Sequence, residues 1–189
     1  MKAPKTSKIT SRSSSITNAF IQAILPTGLW TEAEEVEALS RLGMARPVLA
    51  CSYCGDTTSE WDHLFPLVRQ KKPTGFIHEI RNLVPSCGRC NHSKSGGDWH
   101  VWFRNPNSNS PTKRNILDRE KRFERLEEFV KWGALKAIPF HELVHEEELK
   151  SYWAVLDKVQ IELAAAQRIA DRLKPILQGS LDKRYLQRF

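Results

Sequence analysis

The four cysteines carry the clearest chemical signal in this chain of 189 residues. They form two Cys-x-x-Cys pairs, Cys51 with Cys54 and Cys87 with Cys90. Zinc prefers four soft ligands in a tetrahedron, and two turns that each present two thiolates supply them. Because no convincing secretory signal precedes the pairs, we favour a tetrathiolate zinc site over disulfides or free thiols. Four thiolates leave no coordination position for water, so the pattern predicts a structural Zn²⁺ ion.

Polar residues of a second kind lie between and directly after the cysteine pairs. Asp62 and His63 are adjacent, and Asn91 follows the second pair directly. Hydrolysis of a phosphodiester requires a general base for water and a cation near the phosphoryl and leaving oxygens. Asp62 and Asn91 can supply oxygen ligands for such a cation, and His63 can supply the base. Zinc would tie the two cysteine pairs together and so bring these distant residues into one site.

The order and spacing of these residues resemble the HNH endonucleases of the ββα-metal class, in their zinc-bearing subgroup. The resemblance covers residues 51 to about 97. It rests on the two Cys-x-x-Cys pairs, on Asp-His-x-x-Pro, and on Asn-Leu-Val-Pro-x-Cys-x-x-Cys-Asn-x-x-Lys-x-Gly. It implies that Asp62 and Asn91 bind Mg²⁺ or Mn²⁺ and that His63 is the general base. Asn82 would fix the loop and orient His63, and His92 is the alternative to Asn91 as a ligand.

This resemblance implies a metal-dependent endonuclease that cuts DNA to 5′-phosphate and 3′-hydroxyl ends. A compact chain with helical flanks favours a site-specific type II restriction endonuclease. A homing or other mobile-element nuclease, a toxin nuclease and a zinc module that binds DNA without cutting it are the alternatives. A net charge of +7 favours an anionic partner, which we expect to be double-stranded DNA. Arg89 and Lys94 are candidate contacts to its phosphates.

Cleavage of both strands predicts a homodimer, because one base and one metal ion address one phosphate. Two apolar surfaces are candidates for the dimer contact. One is the seven-residue repeat from Leu149 to Leu173, and the other is the segment around Phe20 to Trp30. We favour the second, because the long helix can bury its repeat against a helix at 112–135 of the same chain.

Two further motifs are assigned structural roles. His141 to His145 fits the zinc-protease pattern His-Glu-x-x-His. Pro139 would place that pair in the first helical turn, so we interpret it as a polar helix start. His78 and Glu79 are also interpreted as structural, since they miss the His-x-Glu pattern of the zinc deaminases.

The elements that must position these residues predict an α+β, mainly helical fold. A central ββα-metal zinc module at 48–103 would follow a basic arm and helical segment at 1–47 and precede a helical region at 112–189. Residues 1 to about 13 are expected to be a disordered basic arm, with an organelle transit peptide as the alternative. Thr31 opens a capping box whose helix should end at Gly43. Further helices are expected at 112–135 and 140–177. No apolar run is long enough to span a membrane, and we expect a cytoplasmic protein.

Overall fold

The computed structural model describes residues 7–186, with side chains described for 7–140 and 142–181. The fold is α+β and mainly helical, as predicted. Its helices are α1 (Ser13–Ile24), α2 (Glu32–Arg41), α3 (Gly88–Lys94), α4 (Trp99–Arg104), α5 (Arg119–Gly133), α6 (Phe140–Leu143) and α7 (Glu146–Leu186). Its strands are β1 (Glu60–His63), β2 (Val68–Arg69), β3 (Lys72–Pro73) and β4 (Leu83–Ser86).

The described chain forms two compact units. Ile21–Phe140 is one, and the chain before Ile21 together with the chain after Phe140 is the other. The module boundaries at 103 and 112 stay a prediction. Leu126 and Phe129 of α5 are buried in the same core as the cysteines and Trp99, so α5 belongs to the unit that carries the site. The segment at 105–111 is packed at Ser110, which is fully buried and donates to the carbonyl of Asn105 at 2.6 Å.

A ββα arrangement lies at the centre of the Ile21–Phe140 unit. β1 pairs antiparallel with β4, so that Asp62 lies opposite Val84 and His63 opposite Leu83. Every residue of β4 is buried, which explains its apolar sequence. α3 begins one residue after β4, with Cys87 at its N-cap. The strand that carries Asp62 and His63 is thus joined to α3 through a single buried strand.

A short hairpin, β2 with β3, occupies part of the segment between β1 and β4. Val68 pairs with Pro73 and Arg69 with Lys72. The two turn residues, Gln70 and Lys71, have φ of 51° and 63°, the left-handed backbone that a two-residue hairpin turn requires. Arg69, Lys71 and Lys72 are exposed, so the hairpin presents positive charge to solvent.

The N-terminal region follows the local signals of the sequence, with one correction. Thr31 and Glu34 form the predicted capping box at the start of α2, and Gly43 follows that helix with φ of 69°. Residues Ile9–Arg12 form a 3₁₀ helix, although we expected a disordered arm up to residue 13. Its backbone N–H at Ile9 donates to Gln167 on α7. The arm's Lys2 and Lys5 lie outside the described residues.

The C-terminal helices α5 and α7 belong to different units, and each has contacts within its own unit. α7 packs against α1: Tyr152 donates to the carbonyl of Phe20 at 2.8 Å, and Gln160 donates to that of Ser13 at 3.2 Å. α5 turns its apolar face into the core around the cysteines. The chain leaves helical geometry at Val144 and His145, so the His-Glu-x-x-His motif does not lie on one helix. Within the described range, no helix is long and apolar enough to cross a lipid bilayer.

Candidate metal centre and active site

The four cysteine thiols converge on one point in the interior. All four residues are buried, their sulfur atoms lie within 4.8 Å of one another, and no disulfide joins them. The Cys54 and Cys87 sulfurs are 3.7 Å apart. Four sulfurs placed about 2.3 Å from zinc in a tetrahedron would be about 3.8 Å from one another. The donor set and its spacing therefore fit the predicted Zn²⁺ ion.

Local backbone geometry and one arginine support this cluster. Gly55 has φ of 82° and its N–H donates to the carbonyl of Cys51 at 2.8 Å, which closes the turn around the first pair. Arg114 donates to the Cys90 sulfur at 2.8 Å. A guanidinium beside four thiolates offsets part of their negative charge. No sequence signal pointed to Arg114, which lies 24 residues after Cys90.

Asp62 is buried on β1 and already has two partners. The Tyr53 hydroxyl donates to its Oδ2 at 2.6 Å, and the Lys94 ammonium lies 3.3 Å from the same oxygen. Burial raises the pKa of the Asp62 carboxyl, while the charge of Lys94 and the Tyr53 hydrogen bond oppose that rise. Because both contacts in the described chain engage Oδ2, Oδ1 is the oxygen left for a cation.

Lys94 has a different place from the one predicted. We expected it to contact DNA phosphate, but its side chain is only 1% exposed. Its ammonium pairs with Asp62 and donates to the carbonyls of His63 at 2.9 Å and Ser95 at 3.3 Å. A buried ammonium needs such partners, because its desolvation is costly. Lys94 therefore connects the end of α3 to the end of β1 through its contacts with Asp62 and His63. In this arrangement its ammonium cannot reach a phosphate.

His63 is half-buried and contacts a second histidine. Its Nε2 lies 2.9 Å from Nδ1 of His78, and the two ring centroids are 5.0 Å apart. Burial lowers the pKa of His63 to about 4, with smaller contributions from His78 and Lys94. An imidazole with this pKa is neutral at physiological pH, as a general base must be. The sequence interpretation missed His78, because nothing in the spacing of residues 63 and 78 indicates a contact.

Asn82 is fully buried and binds the chain that follows His63. Its Oδ1 accepts from the N–H of Phe65 at 2.8 Å. Its Nδ2 donates to the carbonyls of Phe65 at 3.0 Å and Ile77 at 3.2 Å. The backbone carbonyl of Asn82 also accepts from the N–H of Leu64 at 2.8 Å. These bonds fix both ends of the loop between β1 and the segment that contains His78.

The remaining predicted site residues lie on α3. Asn91 is half-buried, and in the described chain no hydrogen bond engages its side chain, so its amide oxygen is available to a cation. His92 and Arg89 are exposed. Arg89 can therefore meet a phosphate, whereas the choice between Asn91 and His92 as second ligand stays a prediction.

Comparisons with known proteins agree with this geometry. Residues 51–97 match the family model described as HNH endonuclease. The match assigns an HNH endonuclease domain to these residues. Over 75 residues the chain is 31% identical to the CRISPR-associated endonuclease Cas9 of Corynebacterium diphtheriae, a match that covers 38% of this chain and 6% of that protein. No solved structure matches the chain.

Proposed function

We propose that this protein is a metal-dependent endonuclease that hydrolyses double-stranded DNA at the site formed by β1 and α3. The proposal rests on the arrangement at the end of β1. There Asp62 has a buried carboxylate whose Oδ1 has no partner among the described residues, and the next residue, His63, is neutral. Lys94 holds this strand end against α3, which carries Asn91. The match of residues 51–97 to the HNH endonucleases supports the same chemistry.

The chain's own residues have separate tasks in this reaction. Asp62 through Oδ1 and Asn91 through its amide oxygen would hold Mg²⁺ or Mn²⁺, which when bound supplies positive charge to the scissile phosphate and the leaving 3′ oxygen. His63 takes a proton from water, and the resulting hydroxide attacks phosphorus in line with the leaving oxygen. The bond to the 3′ oxygen breaks and that oxygen takes a proton from solvent, which leaves 5′-phosphate and 3′-hydroxyl ends. Asn82 keeps the loop after His63 in place during these steps.

Exposed positive charge next to the site gives DNA a surface to bind. Arg89 lies on α3, and Arg69, Lys71 and Lys72 lie on the β2–β3 hairpin. The hairpin lies close to the chain after α3, because a Cβ added at Gly96 would be 3.0 Å from the carbonyl oxygen of Val68. We propose that these side chains contact phosphates, which positions the duplex without reading its sequence.

The biological role is proposed as type II restriction, in a cytoplasmic protein with reduced, zinc-bound thiols. The similarity to part of a CRISPR-associated endonuclease supports nuclease chemistry without favouring restriction. Homing, toxin and non-cutting DNA-binding roles therefore stay as alternatives. Sequencing the ends produced from a random DNA pool separates them: a single palindromic site supports restriction, and unspecific ends support a toxin.

A homodimer is proposed for double-strand cleavage. Phe20 of the favoured N-terminal segment is occupied within the chain, since its ring lies 5.5 Å from that of Tyr152. Leu173 and Leu177 on the later part of α7 are 50% and 62% exposed, which makes this face the better candidate contact. Light scattering of the wild type and of Leu173→Lys should give a dimer and a monomer. A wild type that is monomeric both free and on DNA would instead indicate a nicking enzyme.

Cleavage of a supercoiled plasmid tests the proposed activity. The wild type should cut in Mg²⁺ or Mn²⁺ and not in EDTA. His63→Ala should fold, bind zinc and bind DNA but cut about 10²- to 10⁴-fold more slowly, because the general base is lost. His145→Ala, which removes an exposed histidine outside residues 51–97, is the control and should cut normally. DNA binding without cleavage in any divalent ion would leave the chain a binding module.

A further inference from the structure

The hydrogen bond between His63 and His78 bears on the tautomer of His63 as well as on the positions of the two rings. Where two imidazoles form a hydrogen bond nitrogen to nitrogen, one nitrogen donates a proton and the other accepts it. Nε2 of His63 is 2.9 Å from Nδ1 of His78, which is a full hydrogen bond. The direction of this bond decides which nitrogen of His63 carries the proton.

Only one direction leaves His63 able to act as a base toward water. If Nε2 of His63 carries the proton and donates it to His78, Nδ1 of His63 keeps a free lone pair. If His78 donates instead, His63 carries its own proton on Nδ1. The ring nitrogen of His63 that keeps a lone pair is then Nε2, and that lone pair already accepts the hydrogen bond from His78. If Nδ1 of His78 is the acceptor, it therefore selects the tautomer in which Nδ1 of His63 can receive a proton.

His78 is itself held in place by a segment of the chain far away in sequence. The N–H of Gly28 donates to the carbonyl of His78 at 2.8 Å. A Cβ added at Gly28 would lie 2.9 Å from Cβ of Glu79, so only glycine permits this close approach. The ring of Trp30 lies 5.7 Å from that of His78. The segment after α1 thus fixes both the backbone and the ring of His78.

We infer that His78 is the positioning residue of the proposed general base: its Nδ1 accepts a hydrogen bond from Nε2 of His63 and keeps Nδ1 of His63 free for the proton of the attacking water. During the reaction a water O–H bond breaks and an N–H bond forms at Nδ1 of His63. The resulting imidazolium still donates from Nε2 to Nδ1 of His78, which stabilises its charge. This inference rests on the proposed nuclease function, and it gives the loop between β1 and β4 a task in catalysis.

The first test observes the tautomer and does not require activity. Long-range ¹H–¹⁵N correlation spectra of the zinc-loaded protein should show a protonated Nε2 and an unprotonated Nδ1 for His63. His78→Leu removes the acceptor, and the two tautomers of His63 should then mix. His78→Asn is nearly isosteric with His78→Leu but retains an acceptor oxygen, and it should restore the Nε2–H form. A wild-type proton on Nδ1 of His63 would overturn the inference, even if the protein cuts no DNA.

The second test compares the same variants in cleavage. His78→Leu should lower kcat about 10- to 100-fold, the effect of one catalytic hydrogen bond, with KM unchanged because the inferred task of His78 is to position His63 and not to bind DNA. His78→Asn should recover most of the loss. Equal loss in both variants would show that an imidazole rather than an acceptor is needed, and no loss would show that His78 has no task; either result contradicts the inference. If His78→Leu binds less zinc, His78→Phe, which keeps a ring against Trp30, replaces it.

Discussion

Tyr53 connects the zinc cluster to the carboxylate that we expect to bind the catalytic ion. It lies between Cys51 and Cys54, is fully buried, and donates to Oδ2 of Asp62 at 2.6 Å. Its ring packs edge-on against Trp102 at 5.1 Å. Tyr53→Phe therefore removes one hydroxyl and leaves the packing of the ring intact, which makes it a sharp test of how Asp62 is positioned.

The size of the effect follows from the charge of the acceptor. A hydrogen bond to a charged group contributes about 1.5 to 3 kcal/mol, so the free energy of unfolding should fall by that amount. Removal of a group that orients a metal ligand typically weakens metal affinity by about 10- to 100-fold. We therefore expect the Mn²⁺ dissociation constant of Tyr53→Phe to rise by that factor, with the zinc content unchanged because the four thiolates remain.

Titration calorimetry with Mn²⁺ on the zinc-loaded protein measures this change. Tyr152→Phe is the matched control, since it also removes a hydroxyl that donates at 2.8 Å, but to a neutral carbonyl outside residues 51–97. It should leave Mn²⁺ affinity unchanged. An unaltered affinity in a folded Tyr53→Phe would refute the positioning role of Tyr53. If Asp62→Ala is unaltered as well, Asp62 is not a ligand.

Four further predictions concern the charged groups and the metal ions of the site. Lys94→Met should destabilise the fold by about 3 to 5 kcal/mol in chemical denaturation, because it leaves the buried Asp62 without its cation. Arg89→Ala should leave the free energy of unfolding unchanged. It should lower the salt dependence of DNA binding by about one phosphate contact. His63 should titrate near pH 4 by NMR. Since that pKa is lowered, the unfolded chain takes the proton first, and stability should fall as pH drops from about 6.5 towards 4; His63→Asn should show a smaller fall. Dialysis into buffer without divalent ions, which removes Mg²⁺ or Mn²⁺ and leaves the zinc bound, should leave the melting temperature unchanged. Removal of zinc, or Cys87→Ser, should unfold the chain. A folded zinc-free protein would contradict this.

Local patterns in the sequence were enough to predict part of this structure. The cysteine cluster follows from two Cys-x-x-Cys pairs, because each turn brings its own two thiols together. The start of α2 follows from Thr31 and Glu34, which satisfy each other's backbone within four residues. The α+β class follows from the same local signals. In each case the groups that interact are close in sequence or belong to a known ligand set.

Contacts between distant segments could not be predicted in this way. The pairing of His63 with His78 depends on how Asn82 folds the loop between them. Lys94 resembles a surface lysine in sequence, because burial of a charge depends on a partner such as Asp62 that only the fold supplies. The partners of the amphipathic helices could not be predicted for a related reason. Two amphipathic helices each show an apolar face, but neither pattern says which other face covers it.

The buried charges suggest why two metal ions would have different roles in one small domain. The carboxylate of Asp62 is balanced by Lys94 within the protein, so the strand that carries it can fold without a divalent ion. Within the described residues, the four thiols have one guanidinium contact, from Arg114, which cannot balance four thiolates. Zinc would then be needed for folding, whereas Mg²⁺ or Mn²⁺ would be needed only for the proposed reaction. Tyr53 links the cysteine cluster to Asp62 by a hydrogen bond. Zinc would therefore still determine the position of the Asp62 carboxylate, which is the group proposed to bind Mg²⁺ or Mn²⁺.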